Sequence, residues 1–433
     1  MTQSSTLQKP EQKTDPNATQ EPDDERFQKG AVGSIAVGHF AHDAFGSAFL
    51  PAIFPILQLK LALSYGQIGW LGFALSIPSI INPLIGYLAD RGGTRYLLIL
   101  APAITATMIS TIGLANNYVT VLFMVFCAGL SVAVWHAPAP ALVGAISGKR
   151  VGTGMSIFML GGEISRALGP LVAAAGFTWF GFEGMWRLSI FAWLTSIFLY
   201  FQLRKIKLKA RKPGDASVKE FLQQGWPFFT ILGLFLLTRL PMNAAMTIYL
   251  PTYVTDVVDT TLWLESRTLA SIMDMIEDWM GRSINQPLWL AASALTILES
   301  AGVIGIAFSG TVSDFLGRIP VLVLVLAISP FMFLGFLYGP AALAILFLTL
   351  LGLTAIAPMP VLMALVQDTF PENRALANGV FTATNFVLRG VGLWLVGWIA
   401  DRTGLQTAFL LSGLLALLSA PVIWFLTKIE AKA

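Results

Sequence analysis

The sequence predicts an all-α membrane protein whose two halves repeat one another, and three observations predict it. Residues AVILMFWYC make up 55% of the chain and Asp, Glu, Lys and Arg only 12%, where a soluble domain carries about 25% charged residues; mean hydropathy is +0.72. A charged turn occurs twice between long apolar runs, as GYLADRGGTR from Gly86 to Arg95 and as GTVSDFLGR from Gly310 to Arg318, 224 positions apart. A second echo lies at nearly the same offset: Ala137 to Val143 (APAPALV) returns as Ala357 to Met363 (APMPVLM), 220 positions on. Apolar bias alone does not readily place two matches in one register, so the chain reads as a two-fold repeat of about 220 residues.

The elements follow in order. Residues 1–30 are polar, rich in Gln, Pro, Asp, Glu, Ser and Thr, with no early apolar stretch; this is a disordered tail, not a signal peptide. Twelve apolar stretches then approach the ~20 residues a helix needs to cross a bilayer: 31–58, 67–89, 95–115, 118–146, 152–178, 186–203, 226–255, 288–313, 319–338, 341–366, 375–400 and 404–427. The duplicated turns fall between spans two and three and between spans eight and nine, on one side of the membrane. Lys149 and Arg150, the basic linker 204–225 with Arg204, Lys205, Lys207, Lys209, Arg211, Lys212 and Lys219, and Lys428 and Lys432 share that side. The positive-inside bias makes it cytoplasmic, with both termini. The domains expected are the tail, a bundle over 31–203, the linker, and a bundle over 226–428.

The one long outer loop, 256–286, is acidic. Leu262, Leu269, Ile272, Ile276, Trp279 and Met280 recur there at helical spacing, which predicts an amphipathic helix resting on the outer interface.

Composition also excludes function classes. A water-soluble core is ruled out. The net charge of +3 and pI near 8.9 come from loop residues beside apolar spans, the membrane pattern and not that of a nucleic-acid binder. The single cysteine, Cys127, lies inside an apolar run, so neither a disulfide framework nor a Cys-based metal site is expected. No HExxH, phosphate-gripping loop or Ser-His-Asp order is present, which leaves ATP-driven pumping and metallohydrolysis without support; no cofactor, metal or enzymatic activity is expected.

The turn resembles the signature of the major facilitator superfamily, G-x-L-A-D-R-x-G-R. Gly86, Leu88, Ala89, Asp90, Arg91 and Gly93 match it, Thr94 departs from it, and Arg95 supplies a basic residue one place later. The resemblance implies two six-helix halves, pseudo-symmetric, with transport between them. It also implies a gating role for Gly86, Asp90, Arg91, Gly93 and Arg95 and for their repeat counterparts Asp314 and Arg318. Asp90 is expected to accept bonds from the free amides opening span eleven. His39-Phe40-Ala41-His42-Asp43, Leu50-Pro51-Ala52-Ile53-Phe54-Pro55, Trp135-His136 and GTGMSIFMLGGEISRALGPLVAA are similar to the fosmidomycin-resistance branch, which exports drugs. That branch tends to have F-H-P-E where this chain has Trp135-His136-Ala137-Pro138.

Charged side chains at membrane depth cost about 2.5–3.5 kcal/mol each on insertion scales, so they face a cavity or a partner. Arg166 in span five and Arg389 in span eleven are 223 positions apart, in register with the repeat, and Arg239 lies in span seven. A guanidinium fork suits carboxylate, phosphate or phosphonate. Arg166, Arg239 and Arg389, with Asn243 and Asn385, are therefore the candidate substrate residues. The competing reading is charge balance: Glu163 shares a helical face with Arg166, and Glu299 is placed to pair with Arg239 or Arg389. All three histidines, His39, His42 and His136, lie in spans one and four, and Asp43 is four residues from His39. Histidine titrates near pH 6.5, so these residues, with Glu163 and Glu299, are the candidates for carrying a coupling proton.

The function expected is proton-coupled export of a drug-like or amphipathic small metabolite by alternating access in the plasma membrane, without a partner subunit. Uptake or exchange of a small organic anion is the alternative, and a non-transporting receptor with the same fold a third.

Overall fold

The computed structural model describes residues 27–82, 84–85, 95–136, 138–148, 150–204, 218–258, 267–370 and 374–425. Among them there is no strand. Ten segments of the described residues are long and apolar enough to cross a membrane. The helices are α1 (Lys29–Leu61), α2 (Tyr65–Ser76, continued by a 3-10 turn, Ile77–Ile81), α3 (Arg95–Leu114), α4 (Tyr118–Ile146), α5 (Val151–Gly184), α6 (Ser189–Leu203), α7 (Gly225–Asp256), α8 (Arg267–Met280), α9 (Gln286–Leu316), α10 (Arg318–Tyr338), α11 (Ala341–Thr369), α12 (Arg374–Thr403) and α13 (Leu405–Trp424). The apolar segment Val151–Leu203 has 53 residues, more than one crossing takes. The chain leaves helical geometry inside it at Gly181, φ 67°, where a residue without Cβ adopts a positive φ freely.

Two helices carry the same distortion. A proline has no N–H for the carbonyl four residues back, and its ring crowds that oxygen. Ahead of Pro51 in α1 and of Pro251 in α7 the helix widens into a π turn, Ala44–Phe49 and Ala245–Tyr249, a local form common at functional sites. In each turn a hydroxyl bonds the carbonyl four residues back: Ser47 Oγ to Asp43 O and Thr247 Oγ1 to Asn243 O, both at 2.8 Å. Asp43 and Asn243 thus stand at matching places, eight residues before the two prolines.

The apolar interior is closed by helices packed side by side, α2 with α12 and α5 with α9 running antiparallel and the other pairs parallel. α2 lies along α12, α5 along α1 and α9, α9 along α11, and α7 along α12. At one end of the molecule the loops meet: Lys60 Nζ donates to Gly113 O and sits 3.4 Å from Glu183, and Tyr65 Oη donates to Asp256. At the other end Gln28 N donates to Ile146 O, and Arg95 Nη1 reaches Arg204 O at 3.0 Å.

The helix expected in loop 256–286 is α8, and its apolar residues are divided between two faces. Met273 and Met280 are buried and Ile276 packs on the core, whereas Ile272 and Trp279 face outward. Arg282 ties the segment to α5 by donating to Trp179 O at 3.0 Å. Leu262 and the side chain of Leu269 lie outside the described residues.

Candidate functional site

Three histidine side chains from α1 and α4 converge on one carboxylate, two of them on the same oxygen. His39 Nε2 lies 3.2 Å and His136 Nε2 3.6 Å from Asp43 Oδ2, while His42 Nε2 lies 4.0 Å from Oδ1. His39 and Asp43 meet because they are one helical turn apart. His136 comes from the end of the first straight run of α4. The His39 ring stacks on Phe158 at 4.1 Å, and the His42 ring on Trp135 at 5.2 Å. Gly162 of α5 makes room for it: a Cβ there would stand 2.5–2.9 Å from three His39 ring atoms.

The far nitrogens fix what the near ones can be. His39 Nδ1 lies 2.8 Å from Phe158 O, and His136 Nδ1 3.1 Å from Val132 O. A carbonyl oxygen only accepts, so each Nδ1 carries a hydrogen. In a neutral ring Nε2 is then a bare lone pair, and two such lone pairs face an anionic oxygen. Three acceptors in a buried pocket repel one another until a cation joins them, and one proton converts repulsion into a charge-assisted hydrogen bond. The three donor atoms lie within 4.8 Å of one another, close enough for a single small cation to bridge them.

A second cluster links α5 and α9. Arg166 Nη2 is 2.7 Å from Glu299 Oε2, and Arg166 Nη1 is 3.4 Å from Glu163 Oε2. Glu299, expected to pair with Arg239 or Arg389, is thus held by Arg166. Asp43 is in electrostatic range of Arg166, and Arg389 in range of Arg166 and Glu299.

The remaining predicted residues are distributed unevenly. Arg239 is buried, 2% exposed, and its Nη2 donates to the carbonyl of Ala355 at the end of a helical run in α11, a terminus left with orphan acceptors; it is apart from the Arg166 cluster. Arg389 makes no hydrogen bond or ion pair among the described residues, and its Nε is buried without a partner, as is Asn385 Oδ1. Asn243 is half-buried on α7. Arg318 holds Asp314 and, at 3.2 Å, Asp368 of α11, while Gly86, Asp90, Arg91 and Gly93 lie outside the described residues.

Sequence reasoning missed Asp401. Its Oδ2 accepts from Ser64 Oγ and from the Gly66 amide, each at 2.9 Å, so the end of α12 caps the start of α2. Beside it Tyr249 Oη of α7 lies 3.0 Å from both Tyr65 O and Leu393 O, its one hydrogen shared between the two carbonyls, and α2, α7 and α12 are drawn together at this end. The signal was there to be read: GWIADRTG, Gly397 to Gly404, nearly repeats GYLADRGG, Gly86 to Gly93. It sits at the end of its span where the first copy does.

A family model described as Major Facilitator Superfamily matches residues 35–273 and 266–433. The chain is 24% identical over 398 residues to the fosmidomycin resistance protein of Escherichia coli (strain K12), covering 91% of this chain and 92% of that protein. It is 25% identical over 376 residues to the uncharacterized MFS-type transporter YfnC of Bacillus subtilis (strain 168), covering 86% of each. A solved structure of a bacterial homolog of the human lysosomal transporter Spinster, inward-facing and occupied, superposes with a TM-score of 0.71 at 14% identity, over 93% of this chain and 97% of that one.

Proposed function

The chain belongs to the Major Facilitator Superfamily, and on that premise we propose that it is a proton-coupled transporter exporting a drug-like or amphipathic small metabolite by alternating access. It is a multi-pass membrane protein of a family of secondary transporters. The finer reading puts twelve spans in two halves, 31–203 and 226–428, in the plasma membrane, with both termini cytoplasmic and the chain acting as a monomer. The observation that carries proton coupling is the array on Asp43, where two imidazole Nε2 atoms, their tautomers set by backbone carbonyls, meet one carboxylate oxygen. Such a site holds a proton in one state and must rearrange to release it. Asp43 lies within range of Arg166, which bridges to Glu299 of α9, so loading the array is felt across a helix–helix contact. Export is supported by the likeness to a protein named for drug resistance.

The test has two stages. Cells overproducing the protein are screened for lowered accumulation of amphipathic compounds, and the responding compound is followed in proteoliposomes. Gradient-driven transport should vanish when His39, Asp43 and His136 are replaced by neutral residues, while exchange at equal pH continues. Persistence of gradient-driven transport would move the coupling proton to Glu163 or Glu299; loss of both activities would assign the array to structure or to cargo. If no compound is moved, the receptor reading replaces transport.

A further inference from the structure

α12 carries a line of polar side chains, three of which have a buried polar atom with no partner among the described residues. Asn378, Thr382, Asn385 and Arg389 are spaced by four, three and four residues, which at 100° per residue places them within about 60° of one another around the helix. Asn378 Oδ1, Asn385 Oδ1 and Arg389 Nε are buried and have no hydrogen-bond partner among the described residues. Asn82, just past the 3-10 turn that packs on α12, has the same unmet need at Oδ1. In hydrocarbon each such group costs several kcal/mol, so polar groups at membrane depth face protein, water or a ligand. Every residue from 382 to 389 is half-buried, as a helix bordering a partly open cavity would be.

We infer that this face of α12 is the cargo site, and that the cargo is a small molecule with an anionic head for Arg389 and a hydrogen-bonding group for the Asn385 amide. The inference rests on the transport reading and names the cargo class. Three guanidiniums lie near membrane depth, and two are engaged: Arg166 by Glu299 and Glu163, Arg239 by the Ala355 carbonyl. Arg389 keeps its fork for something else, and Arg166 close by adds to its field while Glu299 opposes it. Asn385 stands one turn away, about 6 Å along the axis, the reach of a compact aromatic or aliphatic body between head and hydrogen-bonding group.

The single cysteine makes the test direct. In a Cys127→Ala background, Thr382→Cys and Asn385→Cys are each labelled in purified full-length protein with two thiosulfonates of equal size, one anionic (sulfonatoethyl) and one cationic (trimethylammonioethyl), with rates normalised to those on free cysteine. The anionic reagent should react several-fold faster at both positions, and Arg389→Gln in the same background should erase the preference. 4-Hydroxyphenylacetate should slow labelling at Thr382→Cys, whereas tyrosol, which lacks the carboxylate, should not. Thiols that react only after unfolding, or with no anionic preference, or a preference that survives Arg389→Gln, would overturn the site; equal protection by the two compounds, or none by either, would overturn the cargo class. Should one cysteine variant not fold, the other carries the measurement. Labelling requires no pH gradient, so failure of proton coupling leaves this result standing, and the reverse.

Discussion

Asp401→Asn should loosen the end of the molecule where α2, α7 and α12 meet. The carboxylate Oδ2 accepts a hydroxyl and a backbone amide at 2.9 Å each, and a negative charge at the start of α2 is favoured by the helix dipole. Hydrogen bonds to a charged group contribute about 1.5–3 kcal/mol each when dry. Ser64 and Asp401 are exposed, which at least halves this, and asparagine retains part of the bonding through its carbonyl. About 1–2 kcal/mol of the contact is lost. Because 1.4 kcal/mol is tenfold in an equilibrium, the ratio of open to closed at this end should rise about 5- to 30-fold. The assay uses Leu393→Cys in the Cys127→Ala background. Leu393 is 1% exposed and packs over Gly69 and Gly72, so an impermeant maleimide reaches it only when α2 and α12 part. Gly66→Ala should act in the same direction, since a Cβ there would stand 2.5 Å from Asp401 Oδ2. A labelling rate that stays within twofold of the parent in both variants would refute the idea that this cap holds the end closed.

Asp43→Asn should fold normally, because the amide N–H groups supply donors to the two Nε2 lone pairs; thermal melting should stay within a few degrees while gradient-driven transport falls to background and equal-pH exchange continues. Gly162→Ala should destabilise the protein by about 1–3 kcal/mol, the usual cost of overpacking, and impair proton coupling by pushing His39 off Phe158; denaturant melts and the vesicle assay check it. Arg166→Lys should lower stability by about 1–3 kcal/mol, since an ammonium cannot hold Glu163 and Glu299 through one planar fork, and Glu299→Gln should relieve part of that loss in the double variant. Arg389→Lys should leave the melting temperature almost unchanged, because Arg389 makes no hydrogen bond or ion pair among the described residues and lysine keeps its charge.

The class of protein was fixed by composition and repetition. An average hydropathy this high leaves only a bilayer as solvent, and in a bilayer the backbone must bond within its own helix, so span positions follow from the apolar runs. The two-fold repeat was readable because duplicated turns keep their charges, and His39 with Asp43 because helical periodicity places i and i+4 together. Partnerships between helices distant in sequence were decided by packing. That His136 reaches Asp43, that Glu299 takes Arg166 rather than Arg239 or Arg389, and that Asp401 caps α2 depend on which helices lie side by side, and an apolar helix carries almost no sequence signal of its neighbour. Which apolar side chains of α8 turn inward, Met273 and Met280, and which outward, Ile272 and Trp279, was likewise decided by packing. Tautomers divide the same way: Nδ1 of His136 is defined by the Val132 carbonyl one turn back in its own helix, whereas Nδ1 of His39 is defined by the Phe158 carbonyl, a contact that exists only once α1 and α5 are assembled.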